Sequence, residues 1–225
     1  MGQDKQPKHR VQARDLRRQS AIREPHERLL IVCEGSKTEP NYINGIRTQY
    51  KLPTANVLVL PPELGTAPIQ VVEYAERILL HGDSHAGITA RGFDQVFAVF
   101  DRDEHASYDA ALEKCKLLDN LHRNSDKERV RFHPIASVPC FELWLLLHFE
   151  DIQAPLHRDE AYARLANHLG GYEKGQSDHW TLTRMHLELA TQRAHALSLR
   201  ANARNGQEPF TAMHELVRRL ITLKD

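Results

Sequence analysis

Two stretches of this 225-residue sequence place carboxylates directly behind apolar runs. Leu29–Cys33 is followed by Glu34-Gly35-Ser36-Lys37-Thr38-Glu39, and Val96–Phe100 is followed by Asp101-Arg102-Asp103-Glu104-His105. Short apolar runs bounded by turn residues read as buried strands, and open parallel sheets bind ligands at the carboxyl ends of their strands. Both acidic segments therefore fall where chemistry collects. Residues i and i+2 of an extended segment share a face, so Asp101 and Asp103 can point into the same crevice as Glu34. Three carboxylates held together repel one another at neutral pH unless a divalent cation neutralises them, and Mg²⁺ or Mn²⁺ prefers such hard oxygen ligands. An ion held there stabilises the attacking and leaving oxygens of phosphodiester chemistry. Glu34, Asp101 and Asp103 are thus the candidate metal ligands and catalytic residues.

Other groups extend this reading. Glu39 lies one helical turn past Glu34. Glu142 opens the apolar stretch Phe141–Phe149, as a fourth carboxylate or as a first-turn acid complementing the helix dipole. Lys37 would contact a scissile phosphate or balance the acids, and His105, two residues past Asp103, would relay protons or sit on the surface. Lys174, in the loop Gly170-Gly171-Tyr172-Glu173-Lys174-Gly175, is a candidate phosphate contact. Arg193, Arg200 and Arg204 are spaced to stack along one helix face, as a basic stripe for a nucleic-acid backbone or a solvated face.

Several rival chemistries fail on spacing. Gly35-Ser36-Lys37-Thr38 lacks the glycines of a phosphate-binding G-x-x-x-x-G-K-[ST] loop. Asp101-x-Asp103 would suit an aspartate nucleophile of the haloacid-dehalogenase type, but His105 stands where that family wants Thr or Val. The 14 histidines form no H-E-x-x-H or similar zinc spacing. Cys140 and His148 sit in or beside a Trp- and Leu-rich stretch, where packing explains them.

The elements that must position these residues follow from the same pattern. The apolar runs Leu29–Cys33, Val57–Leu60, Val96–Phe100 and Val130–Ile135 read as strands. Amphipathic stretches over Glu39–Tyr50, Ile69–Leu80 and Ser107–Leu121, the last with Ser107 as N-cap, read as helices between them. Four βα repeats give an α/β fold, a parallel sheet flanked by helices, over 29–150. A buried helix closes that domain, and a helical C-terminal extension over 151–225 packs on it. Residues 1–28 carry eight Lys or Arg against four Asp or Glu, a basic arm of net charge +4. Because the whole chain balances 30 basic against 30 acidic residues, any nucleic-acid surface must be regional. Three distant cysteines give no disulfide framework, and no apolar run reaches membrane-span length, so a cytoplasmic protein is expected.

Four blocks resemble the RloB-like family: Val32–Tyr42, Phe100–Asp103, Ser137–Leu145 and Pro209–Val217. They are spread over nearly everything except the basic arm. The resemblance implies a Toprim-type domain, in which a glutamate after one strand and a D-x-D after another bind catalytic Mg²⁺. It assigns Glu34 as general acid/base or first metal ligand, Asp101 and Asp103 as the remaining ligands, and places Glu39 and Glu142 in family blocks. It further implies a nuclease effector of bacterial phage defence acting on RNA or DNA, encoded beside an ATPase partner protein, with homo-oligomerisation left open. The alternative is a regulatory or nucleic-acid-binding subunit of an ATPase-containing complex, with no activity alone.

Overall fold

The computed structural model describes residues 27–54, 56–103, 105–175, 177–203 and 209–223. The basic arm, apart from Glu27 and Arg28, lies outside them, and so does Arg204. In chain order the elements are β1 (Leu29–Cys33), α1 (Thr38–Gln49), β2 (Val57–Leu60), α2 (Pro68–His81), β3 (Gln95–Asp101), α3 (Tyr108–Leu118), β4 (Arg131–Val138) and α4 (Glu142–Leu146). There follow α5 (Arg158–Leu169), α6 (His179–Thr183), a 3₁₀ turn (Arg184–His186), α7 (Leu187–Arg200), β5 (Phe210–Thr211) and α8 (Met213–Thr222).

The five strands form one sheet in the order β2-β1-β3-β4-β5. The first four are parallel, with Leu29 opposite both Val57 and Gln95, and Val96 opposite Phe132. Every residue of β1 is buried, as a strand covered by helices on both faces requires. Helices α2 and α3 pack on each other and on β1, β3 and β4, whereas α1 and α8 pack together and on β2 and β4. The chain runs from β1 outward to β2 and then crosses to β3 on the other side of β1. The order therefore reverses between β1 and β3, the crevice position of doubly wound sheets.

Two boundaries move for tertiary reasons. Strand β4 runs on to Val138 because Ser137 and Val138 pair with Thr211 and Phe210 of β5, a two-residue antiparallel strand too short to leave a periodic signal. Helix α3 stops at Leu118 because the Asp119 carboxylate accepts hydrogen bonds from the Phe132 N–H (3.0 Å) and Arg131 Nε (2.8 Å), drawing the chain into β4. Ser107 holds the N-cap position of α3, but its hydroxyl makes no cap hydrogen bond.

An aromatic nest fixes α1 against the elements after β4. The Tyr42 ring lies edge-on to Phe141 and Trp180 (both 5.6 Å), Trp144 and His148 (both 6.5 Å). Such pairs add about 0.5–1.5 kcal/mol each beyond their burial. Tyr42 is three residues past Glu39 and Phe141 immediately precedes Glu142, so this packing sets how those two acids approach. Cys140 and His148 belong to the same core. The His148 Nδ1 bonds the Trp144 carbonyl at 2.9 Å, and burial pushes its imidazole down to about 4.

Candidate metal centre

Adjacent parallel strands deliver the acids. β1 ends at Cys33, the Glu34 N–H continues the ladder to the Val99 carbonyl (2.8 Å), and the Glu34 carboxylate accepts the Asp101 N–H at 2.8 Å. Glu34 is thereby clamped across the β1–β3 seam. Asp101 closes β3 on the buried side of the seam. Asp103 lies beyond the strand, at a left-handed φ of 37°, with its N–H on the Pro139 carbonyl (3.1 Å). The strict i, i+2 alternation ends with the strand, so Asp101 and Asp103 keep different neighbours within one acidic group. One ligand atom from each of Glu34, Asp103 and His105 lies within 4.8 Å of the others, and His105 Nε2 is 3.3 Å from Glu34 Oε1.

Asp101 instead adjoins the inner acids. Its carboxyl is pushed well up by burial and then by the charges of Glu39, Glu142, Glu34 and Asp103. Glu39 is nearly inaccessible, and it too is raised, to about 7, by burial and by Glu142. Its carboxylate presses on Gly35, where a Cβ would stand 2.1 Å from Glu39 Oε2. The glycine is thus required by close approach of the acid, since its φ does not enter the left-handed region. Burial likewise raises Glu34 to about 7, aided by Asp103. Asp103 is raised by burial despite the opposing pull of Arg158, Lys174 and His105.

This is the electrostatic state of an anionic cage short of positive charge. Asp103 Oδ1 and Glu39 Oε2 are buried without hydrogen-bond partners, an expensive condition for carboxylate oxygens and one that a cation relieves. An all-oxygen inner set with an imidazole at its edge fits Mg²⁺ or Mn²⁺. Glu34 and Asp103 side chains are each 12% exposed, so the cage remains reachable from solvent.

A second ring of groups comes from the C-terminal third. Arg158, in the first turn of α5, donates to Asp103 Oδ2 (2.8 Å) and to the Tyr162 hydroxyl (3.0 Å). Gly170 ends α5 in the left-handed conformation, and the loop it opens brings Tyr172 and Lys174 back over the acids. The Tyr172 hydroxyl donates to Glu142 Oε1 at 2.7 Å, and Lys174 Nζ lies 3.4 Å from the Tyr162 hydroxyl. Burial alone would lower Lys174, but Glu142, Tyr162 and Glu39 hold it above its ordinary value.

The sequence-derived residues therefore separate into two sets. Glu34, Glu39, Asp101, Asp103, His105, Glu142 and Lys174 come together. Lys37 is exposed, with its stem along the same loop, where a Cβ on Gly175 would meet Lys37 Cδ at 3.0 Å. Arg193 and Arg200 lie apart from the acids. Arg193 donates to the Leu147 carbonyl (2.7 Å) behind α4, and Arg200 to the Gln153 carbonyl (3.1 Å), pinning α7 to the segment between α4 and α5. Sequence reasoning missed Arg158, Tyr162 and Tyr172. The available signal was the i, i+4 spacing of Arg158 and Tyr162, which puts both on one helix face.

A family model described as RloB-like protein matches residues 29–220. No curated protein and no solved structure matches the chain.

Proposed function

The chain belongs to the RloB-like family, and from that premise we propose that it is a Mg²⁺- or Mn²⁺-dependent phosphodiesterase of nucleic acid, a Toprim-type nuclease serving bacterial phage defence. The observation that carries this reading is the gathering of Glu34 with Asp103 and His105 at the reversal of strand order, with Glu34 clamped across the β1–β3 seam by the Asp101 N–H and the Asp101 carboxyl among the inner acids. Glu34, Asp101 and Asp103 would hold the ion, with Glu39 and Glu142 behind them. When bound, the ion supplies the positive charge that stabilises the attacking and leaving oxygens of a phosphodiester. Glu34 would manage the proton of the attacking or leaving oxygen, with His105 Nε2, 3.3 Å from its carboxylate, in reach to carry it. Arg158 and Lys174 offset the negative charge of the cage and orient a phosphate at its mouth.

The test is cleavage of supercoiled plasmid, linear DNA, total tRNA and single-stranded RNA with Mg²⁺ or Mn²⁺, comparing wild type with Glu34→Gln and Asp101→Asn. Metal-dependent cutting that both variants lose is the expected result and names the substrate class. Cutting that survives both substitutions overturns the reading. Wild type silent on every substrate favours a second reading, a regulatory or nucleic-acid-binding subunit of an ATPase-containing complex. That reading draws on Leu182, Met185 and Leu189, which are exposed at helical spacing along α6, the 3₁₀ turn and α7.

A further inference from the structure

Beside the acidic crevice opens a cleft of about 930 Å³ that shares Asp103 and His105 with it. One wall is apolar and built on two chain segments, Val138-Pro139 at the end of β4 and Pro155-Leu156 ahead of α5. The prolines offer rigid flat surfaces with no N–H to leave unsatisfied, which suits a planar heteroaromatic ring. The rim carries N–H donors. Arg102 and Arg158 line it with the imidazoles of His105 and His157. The acids that reach it already face cations, Asp103 toward Arg158 at 2.8 Å and Glu160 toward Arg164 at 3.1 Å. A flat apolar wall, a rim of guanidinium and imidazole groups and a direct opening onto the proposed phosphodiester site together match one nucleotide, with its ring on the prolines and its phosphate toward Arg102 and Arg158.

A base inside a duplex is stacked on both faces and cannot lay a ring on this wall, whereas an unpaired base presents a free face. We propose that this cleft seats one unpaired nucleotide flanking the scissile phosphate, so that the strand acted on is single-stranded at that point. The proposal rests on the nuclease reading for what occupies the crevice, but binding in the cleft does not require cleavage.

The test is fluorescence anisotropy with a labelled single-stranded oligonucleotide and the same strand annealed to its complement, with Ca²⁺ replacing Mg²⁺ to hold off chemistry. Wild type is compared with Pro155→Glu and His157→Asp. Both side chains are exposed, and Asp keeps an N-cap ahead of α5, so the fold is retained, which thermal melting verifies. The single strand should bind wild type about tenfold or more tighter than the duplex. Each acidic substitution should weaken single-strand binding by about threefold or more and shrink that preference. Equal binding of the two forms, or unchanged single-strand binding by both variants, overturns the proposal. Cleavage in Mg²⁺, run in parallel, separates the two readings. Loss of binding in the variants of a chain that cuts nothing keeps the cleft and removes the nuclease, whereas cutting by both variants with unaltered KM keeps the nuclease and removes the cleft.

Discussion

The two ends of the parallel sheet treat their acids in opposite ways. At the amino end, Asp94 receives the Arg28 N–H (2.7 Å), the Arg28 guanidinium (2.9 Å) and the Asn124 amide (2.6 Å). Burial would raise its carboxyl, but the Arg28 hydrogen bonds outweigh it and hold Asp94 below its ordinary value. Asp119, before β4, is lowered against burial in the same way, by the Phe132 N–H and Arg131. At the carboxyl end, Glu34, Glu39, Asp101 and Asp103 are all raised. Two things differ between the ends: Glu39 and Asp101 are almost inaccessible whereas Asp94 and Asp119 are half-buried, and the half-buried pair have cationic partners that Glu39 and Asp101 lack among the described residues. Acids matched by cations stabilise a fold, whereas acids crowded together cost stability, and their presence points to a task that needs the charge.

The sharpest way to break this contrast is to neutralise one acid at each end. Asp101→Asn should lower metal-dependent cleavage by at least about 100-fold while leaving the chain folded and, without metal, more resistant to heat. Asp94→Ala should do the reverse, costing about 2 kcal/mol in chemical denaturation by stranding Arg28 and Asn124, with kcat unchanged. If Asp101→Asn destabilised the metal-free chain as much as Asp94→Ala does, the contrast would fail.

The pH dependence carries opposite signs at the two ends. Glu34 and Glu39 rise from an ordinary 4.5 to about 7, so between those values the folded chain binds more protons than the unfolded one. Their contribution to stability therefore falls as pH rises through that window. Asp94 and Asp119, held below 3.8, contribute stability above that value, and it is lost as pH falls through their folded-state range. The metal-free melting temperature should climb as pH drops from about 8 to about 5 and decline on further acidification below about 4. Saturating Mg²⁺ should flatten the upper limb, because it stabilises the ionised carboxylates. A melting temperature that rises steadily from about pH 5 to about pH 8 without metal would contradict the raised acids.

A smaller effect is expected from Gly35→Ala. The new methyl displaces the Glu39 carboxylate, so activity should fall by about tenfold while stability changes by only about 1 kcal/mol. Adding Glu39→Gln to Gly35→Ala should cost little more, because the two positions share one contact.

Much of this molecule was legible from local pattern. Leu29–Cys33 and Val57–Leu60 are strands with the bounds their apolar runs predict, the first two helices differ from expectation by one residue at each end, and α3 ends three residues early. The acids after β1 and β3 were visible for the same reason, since a parallel sheet gathers its strand ends at one edge. Residues that depend on distant chain were not visible. Arg158 follows Asp103 by 55 positions and Tyr172 follows Glu142 by 30, and nothing local in either segment announces the other. β5 is a strand only because β4 has an open edge beside it.

The sequence by itself determined the α/β alternation, the positions of the buried strands along the chain and the pairing of acids with strand tips, because each is written in residue periods of a few positions. The tertiary structure alone decided that Asp103 leaves the strand in a left-handed conformation beside His105, that Glu39 lies against Gly35, and that α5 and its following loop set Arg158, Tyr172 and Lys174 around the crevice. Those outcomes depend on backbone conformations and packing that arise only when segments far apart in the chain meet, and hydrophobic period does not encode which side chains then face each other.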